Sequence, residues 1–429
     1  MRIIFYVLTA GIAAGVSFGF SLIIWKLSMR FRLYPKLRER DVHTRPTPRL
    51  GGIAMFLGVV VAFAVASQLP NFAIVFAEPG KIFGALGAAL LIVLVGVADD
   101  IWDLDWMTKL AAQFISAGIM AWQGVQLIAV PLPGLIWLPS PLMSLVLTVI
   151  LIVLVMNAVN FIDGLDGLVA GVAIIANGVF FVYAYVISYA PTAQSDYFNL
   201  AQLISAVLIG ACLGFLPLNW HPAKLFMGDA GALLTGLLMA ASTIAVTTQI
   251  DPTRVEDAEQ LFPAFIPILL PFAVLIVPLL DFGLAIFRRL RAGKSPFSAD
   301  RKHLHHRLLD MGHSHFHAVL IFYGWTAAAS FGVLLFLFTD WWWATAFTGG
   351  AFIVCTLVTL APLSRRKAVE AAVQSSTAEA IVEADVARYD PLDAASVAND
   401  DTAPVDIPDQ TLRHITGARP PGRDPQGES

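Results

Sequence analysis

At 429 residues, 57% hydrophobic and 14% charged, with a formal net charge of −4, the chain carries too little polar surface for a soluble protein of its length. Its two cysteines, Cys212 and Cys355, both lie in apolar runs and in no C-x-x-C spacing, which argues against a disulfide scaffold or a thiol redox centre. No basic tract calls for a nucleic-acid partner.

In chain order the apolar stretches fall at 3–27, 51–69, 82–98, 109–127, 142–159, 167–189, 199–217, 230–249, 263–287, 316–338 and 342–361. Most approach the length that crosses about 30 Å of hydrocarbon, so the expected fold is all-α, a polytopic membrane protein with eleven spans. The first run lacks a cleavage site and leads into a basic loop, and is therefore expected to remain as an anchor. Lys and Arg crowd the loops after spans 1, 9 and 11, whereas the opposite side carries only Arg2, Lys81 and Arg254. That asymmetry predicts an outside N-terminus and a cytoplasmic C-terminus. Residues 1–365 read as the transmembrane catalytic domain and 366–429 as a largely disordered cytoplasmic tail with no catalytic role.

Four polar segments fall on the predicted cytoplasmic side. ADDIWDLD (98–105) crowds Asp99, Asp100, Asp103 and Asp105 against the end of span 3. A solvated acidic stop is one reading. Carboxylates against an apolar run are costly unless they face a polar cavity, a cation or a metal. Asp99 and Asp100 therefore suit a proton acceptor or a divalent-cation site, while Asp103 and Asp105 read as loop charges. NAVNFIDGLDGL (157–168) puts Asn157 and Asn160 on one helical face. Its Asp163-Gly164 and Asp166-Gly167 read either as turn punctuation or as a shelf for a base, ribose or sugar.

NWHPAKLFMGDAG (219–231) supplies Lys224, the flat ring of Phe226, and Asp229 at the start of span 8. A carboxylate there either caps the helix or holds a metal-bound phosphate at the positive helix end. Arg301, His303, His305 and His306 stand in a basic, His-rich segment suited to a polyanion such as a nucleoside diphosphate. Zinc is the competing reading, but it needs three or four defined ligands and no cysteine is near. His43, His221, His313, His315 and His317 read as bystanders. Pro263, Pro267, Pro271 and Pro278 predict a bent ninth span bordering a groove open to lipid.

Together these residues describe metal-dependent phosphoryl transfer at one membrane face. An ion-coupled transporter is the alternative from another class, but it should carry its acids near midspan rather than at span ends.

Five segments in order, PTPRLGG (46–52), VGVADD (95–100), NAVNFIDGLDGL, NWHPAKLFMGDAG and SPFSADRKHLHHRLL (295–309), resemble the polyprenyl-phosphate N-acetylhexosamine-1-phosphate transferase family. The form DRKHLHHRLL is similar to its WecA-type branch. The resemblance implies transfer of GlcNAc-1-phosphate from UDP-GlcNAc to undecaprenyl or decaprenyl phosphate, giving polyprenyl-diphospho-GlcNAc and UMP. It implies a bacterial plasma-membrane enzyme with its site on the cytoplasmic face, starting an envelope polysaccharide. Phospho-MurNAc-pentapeptide transferase is the alternative branch. A homodimer is compatible with the sequence.

The resemblance also implies roles. Asp229 is the expected Mg²⁺ ligand, with Asp100 in support and Mn²⁺ an acceptable substitute. Asp99 would accept a proton or orient the acceptor phosphate, or attack in a covalent route. His303, His305, His306 and Arg301 would hold the diphosphate. Asn160, Asp163 and Asp166 would contact the nucleotide, with Phe226 against uracil and Asn219 nearby. Lys109 and Lys224 are expected phosphate contacts of lower rank, and Arg45 or Arg49 faces substrate.

Overall fold

The computed structural model describes residues 2–32, 47–127, 130–132, 135–188, 195–247 and 304–361, with a few positions between 273 and 293. The expected ninth span and the expected tail fall almost wholly outside these residues. Each of the other expected spans carries a helix. These are α1 (Arg2–Phe31), α2 (Gly51–Ala66), α4 (Pro79–Trp102), α5 (Trp106–Trp122), α6 (Pro141–Ile162), α7 (Leu168–Ile187), α8 (Ser195–Asn219) and α9 (Gly228–Thr247). A short α3 (Ala73–Ala77) follows α2; beyond α9 come α10 (Leu304–Asp310), α11 (His315–Leu335) and α12 (Trp341–Ala361). Among the described residues eight helices are long and apolar enough to cross a membrane, or nine if the pair 51–66 and 70–77, bent by 96°, is one span. Helix α5, at 17 residues, extends about 25 Å. The described exception to helix is a hairpin of two three-residue strands, β1 (Val130–Leu132) and β2 (Leu135–Trp137).

Local chemistry sets the helix ends. Ser140 caps α6 ahead of Pro141, and Ser314 caps α11 through the backbone N–H of His317. Asp103 adopts a left-handed conformation (φ 55°) that ends α4, and the Asp105 carboxylate then opens α5 by accepting from Met107 N (2.8 Å) and Thr108 N (3.0 Å). The Thr108 hydroxyl holds the Asp105 carboxyl below its usual range. Asp103 and Asp105 lie in the exposed loop between α4 and α5, as expected, and Asp105 in addition caps α5. They form the corner that brings Lys109 back beside Asp99.

Helix α9 is almost entirely buried and packs against α2, α4, α6 and α8. Helices in lipid gain little from the hydrophobic effect and associate by close packing and interhelical hydrogen bonds. A side chain on Gly52 of α2 or Gly96 of α4 would overlap the Ala230–Gly231 backbone of α9, so these small residues set the approach. Between α5 and α6, Asn157 donates to Gln113 at 2.5 Å, a bond of about 0.6 kcal/mol by the average for membrane helices. Helix α12 presents most of its apolar side chains outward.

Candidate active site

The site grows from a backbone seam. The N–H of Phe226 donates to Pro48 O (2.8 Å), Gly51 N to Phe226 O (3.0 Å) and Gly52 N to Met227 O (2.9 Å). The described part of PTPRLGG is thereby seated on LFMG, one turn before α9. Gly228 has φ +69°, and a Cβ there would overlap both Arg49 O and the Asp100 carboxylate, so the turn requires glycine. The Asp229 N–H, in the first turn of α9, donates to Asp100 Oδ1 at 3.3 Å.

The seam aligns carboxylates from two helices, α4 and α9, with Lys109 of α5 and Asn160 of α6. Lys109 Nζ lies 2.6 Å from Asp99 Oδ2 and 3.6 Å from Asp229 Oδ2. Asp99 is 8% exposed, and its other oxygen accepts from Leu104 N at 2.8 Å. Asn160 donates to Asp229 Oδ1 at 3.1 Å, which fixes the rotamer of that half-exposed carboxylate. Lys109, expected as a lower-rank phosphate contact, is thus the cation at the centre of the cluster. Asp100 Oδ2 is buried and has no hydrogen-bond partner among the described residues.

Asp163 is an exposed residue at the end of α6, and the protein around its carboxyl, together with the Asp229 charge and despite Arg49, pushes that carboxyl up to about 7. Of the two arginines expected to face substrate, Arg49 is therefore the one described near the cluster; Arg45 lies outside the described residues.

Other expected site residues serve the surrounding walls. Asn219, 5% exposed, accepts from Gly167 N (3.0 Å) and donates to Leu225 O (3.1 Å), so both ends of its amide tie two loops together. Asp166, 4% exposed, pairs with His221 Nδ1 (2.7 Å) and accepts from Ala223 N (3.1 Å). His221 is thus no bystander, and its partner is a residue expected to contact nucleotide. Lys224 stands 5.3 Å over the Trp25 ring of α1, and Phe226 is half-buried beside the seam. Arg289 lies 5.8 Å over Phe161, so part of the second basic loop reaches the residue next to Asn160. Arg301 and His303 fall outside the described residues, and of His305 and His306 only the helical backbone in α10 is described.

Among the described residues no group of three or more His, Cys, Asp or Glu is arranged to hold a metal by itself. The donors present nevertheless fit a hard divalent ion. Asp100 has a buried carboxylate oxygen, without a hydrogen-bond partner among the described residues, next to the start of α9. Mg²⁺ takes one or two carboxylates and completes its shell with water and substrate phosphates.

Acids, a lysine and an amide are thus gathered at the helix ends of a multi-pass membrane protein. The pattern of glycosyl transferase family 4 matches residues 82–247, which contain Asp99, Asp100, Lys109, Asn160 and Asp229. The chain is 41% identical over 344 residues, 79% of its length and 84% of the relative's, to decaprenyl-phosphate N-acetylglucosaminephosphotransferase of Mycolicibacterium smegmatis. It is 43% identical over 337 residues (78% and 82%) to the Mycobacterium tuberculosis protein of the same name. Over 308 residues (70% and 76%) it is 33% identical to a probable undecaprenyl-phosphate N-acetylglucosaminyl 1-phosphate transferase of Bacillus subtilis. The chain belongs to the polyprenyl-phosphate N-acetylhexosamine-1-phosphate transferase family, in its WecA-type, GlcNAc-transferring branch.

Proposed function

We propose that the protein transfers GlcNAc-1-phosphate from UDP-GlcNAc to a polyprenyl phosphate, releasing UMP and forming polyprenyl-diphospho-GlcNAc. The names of the relatives support the reaction, and those of the mycobacterial relatives favour decaprenyl phosphate as acceptor. The observation that carries the proposal is the Lys109 ammonium between Asp99 and Asp229, beside an Asp100 oxygen with no hydrogen-bond partner among the described residues.

An oxygen of the acceptor phosphate attacks the sugar-bound phosphorus. A new phosphoanhydride forms as the bond to UMP breaks, and UMP leaves with the electron pair. Both reactants are anions, so charge neutralisation dominates the barrier. Lys109 faces the phosphates, and Asp99, with both oxygens engaged, orients Lys109 rather than attacking. Asn160 holds Asp229 in place. Asp229 and Asp100 would hold Mg²⁺, which when bound supplies positive charge to the diphosphate; Mn²⁺ accepts the same oxygen donors. Asp163 and Phe226 face the nucleotide. The resemblance alone assigns Arg301, His303, His305 and His306 to the departing UMP. The Lys/Arg-rich loops support a cytoplasmic location for this end of the bundle, in a bacterial plasma membrane.

Membranes containing the protein, supplied with radiolabelled UDP-GlcNAc, Mg²⁺ and decaprenyl phosphate, should form a lipid-linked GlcNAc diphosphate and release UMP. Turnover of UDP-MurNAc-pentapeptide in place of UDP-GlcNAc would instead select the other branch of the family.

A further inference from the structure

Beside the carboxylate cluster, a second polar cluster joins three distant segments. His221 Nδ1 and Asp166 Oδ2 lie 2.7 Å apart, within hydrogen-bond distance. The His221 ring lies parallel to His315 in the first turn of α11, with centroids 5.2 Å apart and 4° between planes. Next to this stack, Trp220 meets Phe316 edge-on at 6.0 Å. Further along α11, Tyr323 donates to Gly167 O at 2.6 Å, and Gly167 N is held by Asn219. The loop's own backbone bonds are local: Asp163 N to Asn160 O, Gly164 N to Ile162 O, and Leu168 N to Leu165 O. Among the described residues, long-range hydrogen bonds of residues 163–167 run to the 219–223 segment and to α11.

We infer that His221, held between Asp166 and His315, and Tyr323 are positioning residues for the nucleotide half of the site. They clamp the 163–167 loop to α11 and so set how tightly the UDP portion of the donor is held, leaving the phosphoryl-transfer step itself to the Lys109 cluster. The inference rests on the proposed reading that Asp163 faces the nucleotide. Neither His221 nor Tyr323 is given contact with a reacting atom. Their effect passes through Asp166 and Gly167.

The test uses the full chain, purified in detergent with added lipid. Transfer by the wild type tests the reading; the variants test the clamp. His221→Ala should raise the KM for UDP-GlcNAc and weaken UMP binding, each about tenfold, as expected for losing a hydrogen bond to a charged group. Its kcat and its KM for polyprenyl phosphate should stay within about twofold of wild type, since nothing at the Lys109 cluster is removed. His221→Asn keeps an N–H that can reach Asp166 and should recover most of the loss. Tyr323→Phe, a smaller change, should raise the same KM. Adding His315→Ala to His221→Ala should cost little more, because both act through one ring.

The clamp is overturned if folded His221→Ala and Tyr323→Phe both keep wild-type KM and UMP affinity, or if Asn at position 221 does no better than Ala. A fall in kcat with KM intact would overturn it as well. UMP binding, read by calorimetry, reports on the loop without turnover. A wild type that binds UMP but fails to transfer GlcNAc-1-phosphate therefore sinks the functional reading while the clamp is still judged.

Discussion

Removing the Lys109 charge should separate an orienting Asp99 from a nucleophilic one. A pair of charges about 4 Å apart attracts by about 4 kcal/mol at an effective dielectric near 20, before desolvation is subtracted. The net value of a charge-assisted hydrogen bond such as the 2.6 Å Asp99–Lys109 contact is about 1.5–3 kcal/mol. If Asp99 only orients Lys109, Asp99→Asn should therefore lower kcat/KM roughly ten- to 150-fold. Lys109→Met, which loses the cation itself, should cost roughly 10²- to 10³-fold. The double variant should be no slower than Lys109→Met, because the two side chains act as one unit. It should also melt higher than Lys109→Met, which strands the buried Asp99 carboxylate without its cation. Initial rates over a range of both substrates, with thermal melts in detergent, measure all four corners of the cycle. An Asp99→Asn loss beyond about 10⁴-fold that adds fully to the Lys109→Met loss would refute the orienting role. Exchange of labelled UMP into UDP-GlcNAc without any polyprenyl phosphate would do the same, because it requires a covalent intermediate.

Asp229→Asn should abolish transfer, and Asp100→Asn should raise the Mg²⁺ concentration needed for half-maximal rate about tenfold or more, read by metal titration. Asp163, with its carboxyl at about 7, should give kcat/KM a limb that rises through neutral pH, and Asp163→Asn should lack it. The stability sign is opposite: the folded state keeps a proton that the unfolded state has lost, so this group's contribution declines as pH climbs from the ordinary carboxylate range to about 7. Melting temperatures of wild type and Asp163→Asn, compared at acid and alkaline pH, should diverge in favour of the variant above neutrality. Gly228→Ala should lower the melting temperature and the activity together, since a left-handed alanine costs roughly 1–2 kcal/mol and its methyl meets Arg49 O and Asp100.

The helices were readable because long apolar runs between polar breaks leave few alternatives, and α9 begins within two residues of its expected start. The segments that carry the carboxylates were readable too, as charge placed where lipid makes charge costly. Their connections were not. Asp100 and Asp229 are 129 positions apart, and Asn160 and Asp229 are 69 apart, so no periodicity relates them. Lys109 looked minor because its partners are set by the corner at Asp103 and Asp105. The signal for that corner was present: an Asp three residues before a Thr at the start of an apolar run is a helix cap. His221 and His315 looked idle because the Asp166 contact exists only once α7 has packed on α8, and the ring stack only once α11 has packed on α7.

The seam between residues 48–52 and 226–227 is made of main-chain hydrogen bonds, which any residue other than proline can donate and every residue can accept. Apart from Arg49 and Phe226, chemical identity matters little along it, but volume matters at Gly51, Gly52 and Gly228, where an added methyl meets atoms packed against the seam. A saturation library across the two segments should therefore divide by size rather than by polarity. Tolerance would be broad at Leu50, while nearly every substitution at the three glycines would be lost, polar and apolar alike.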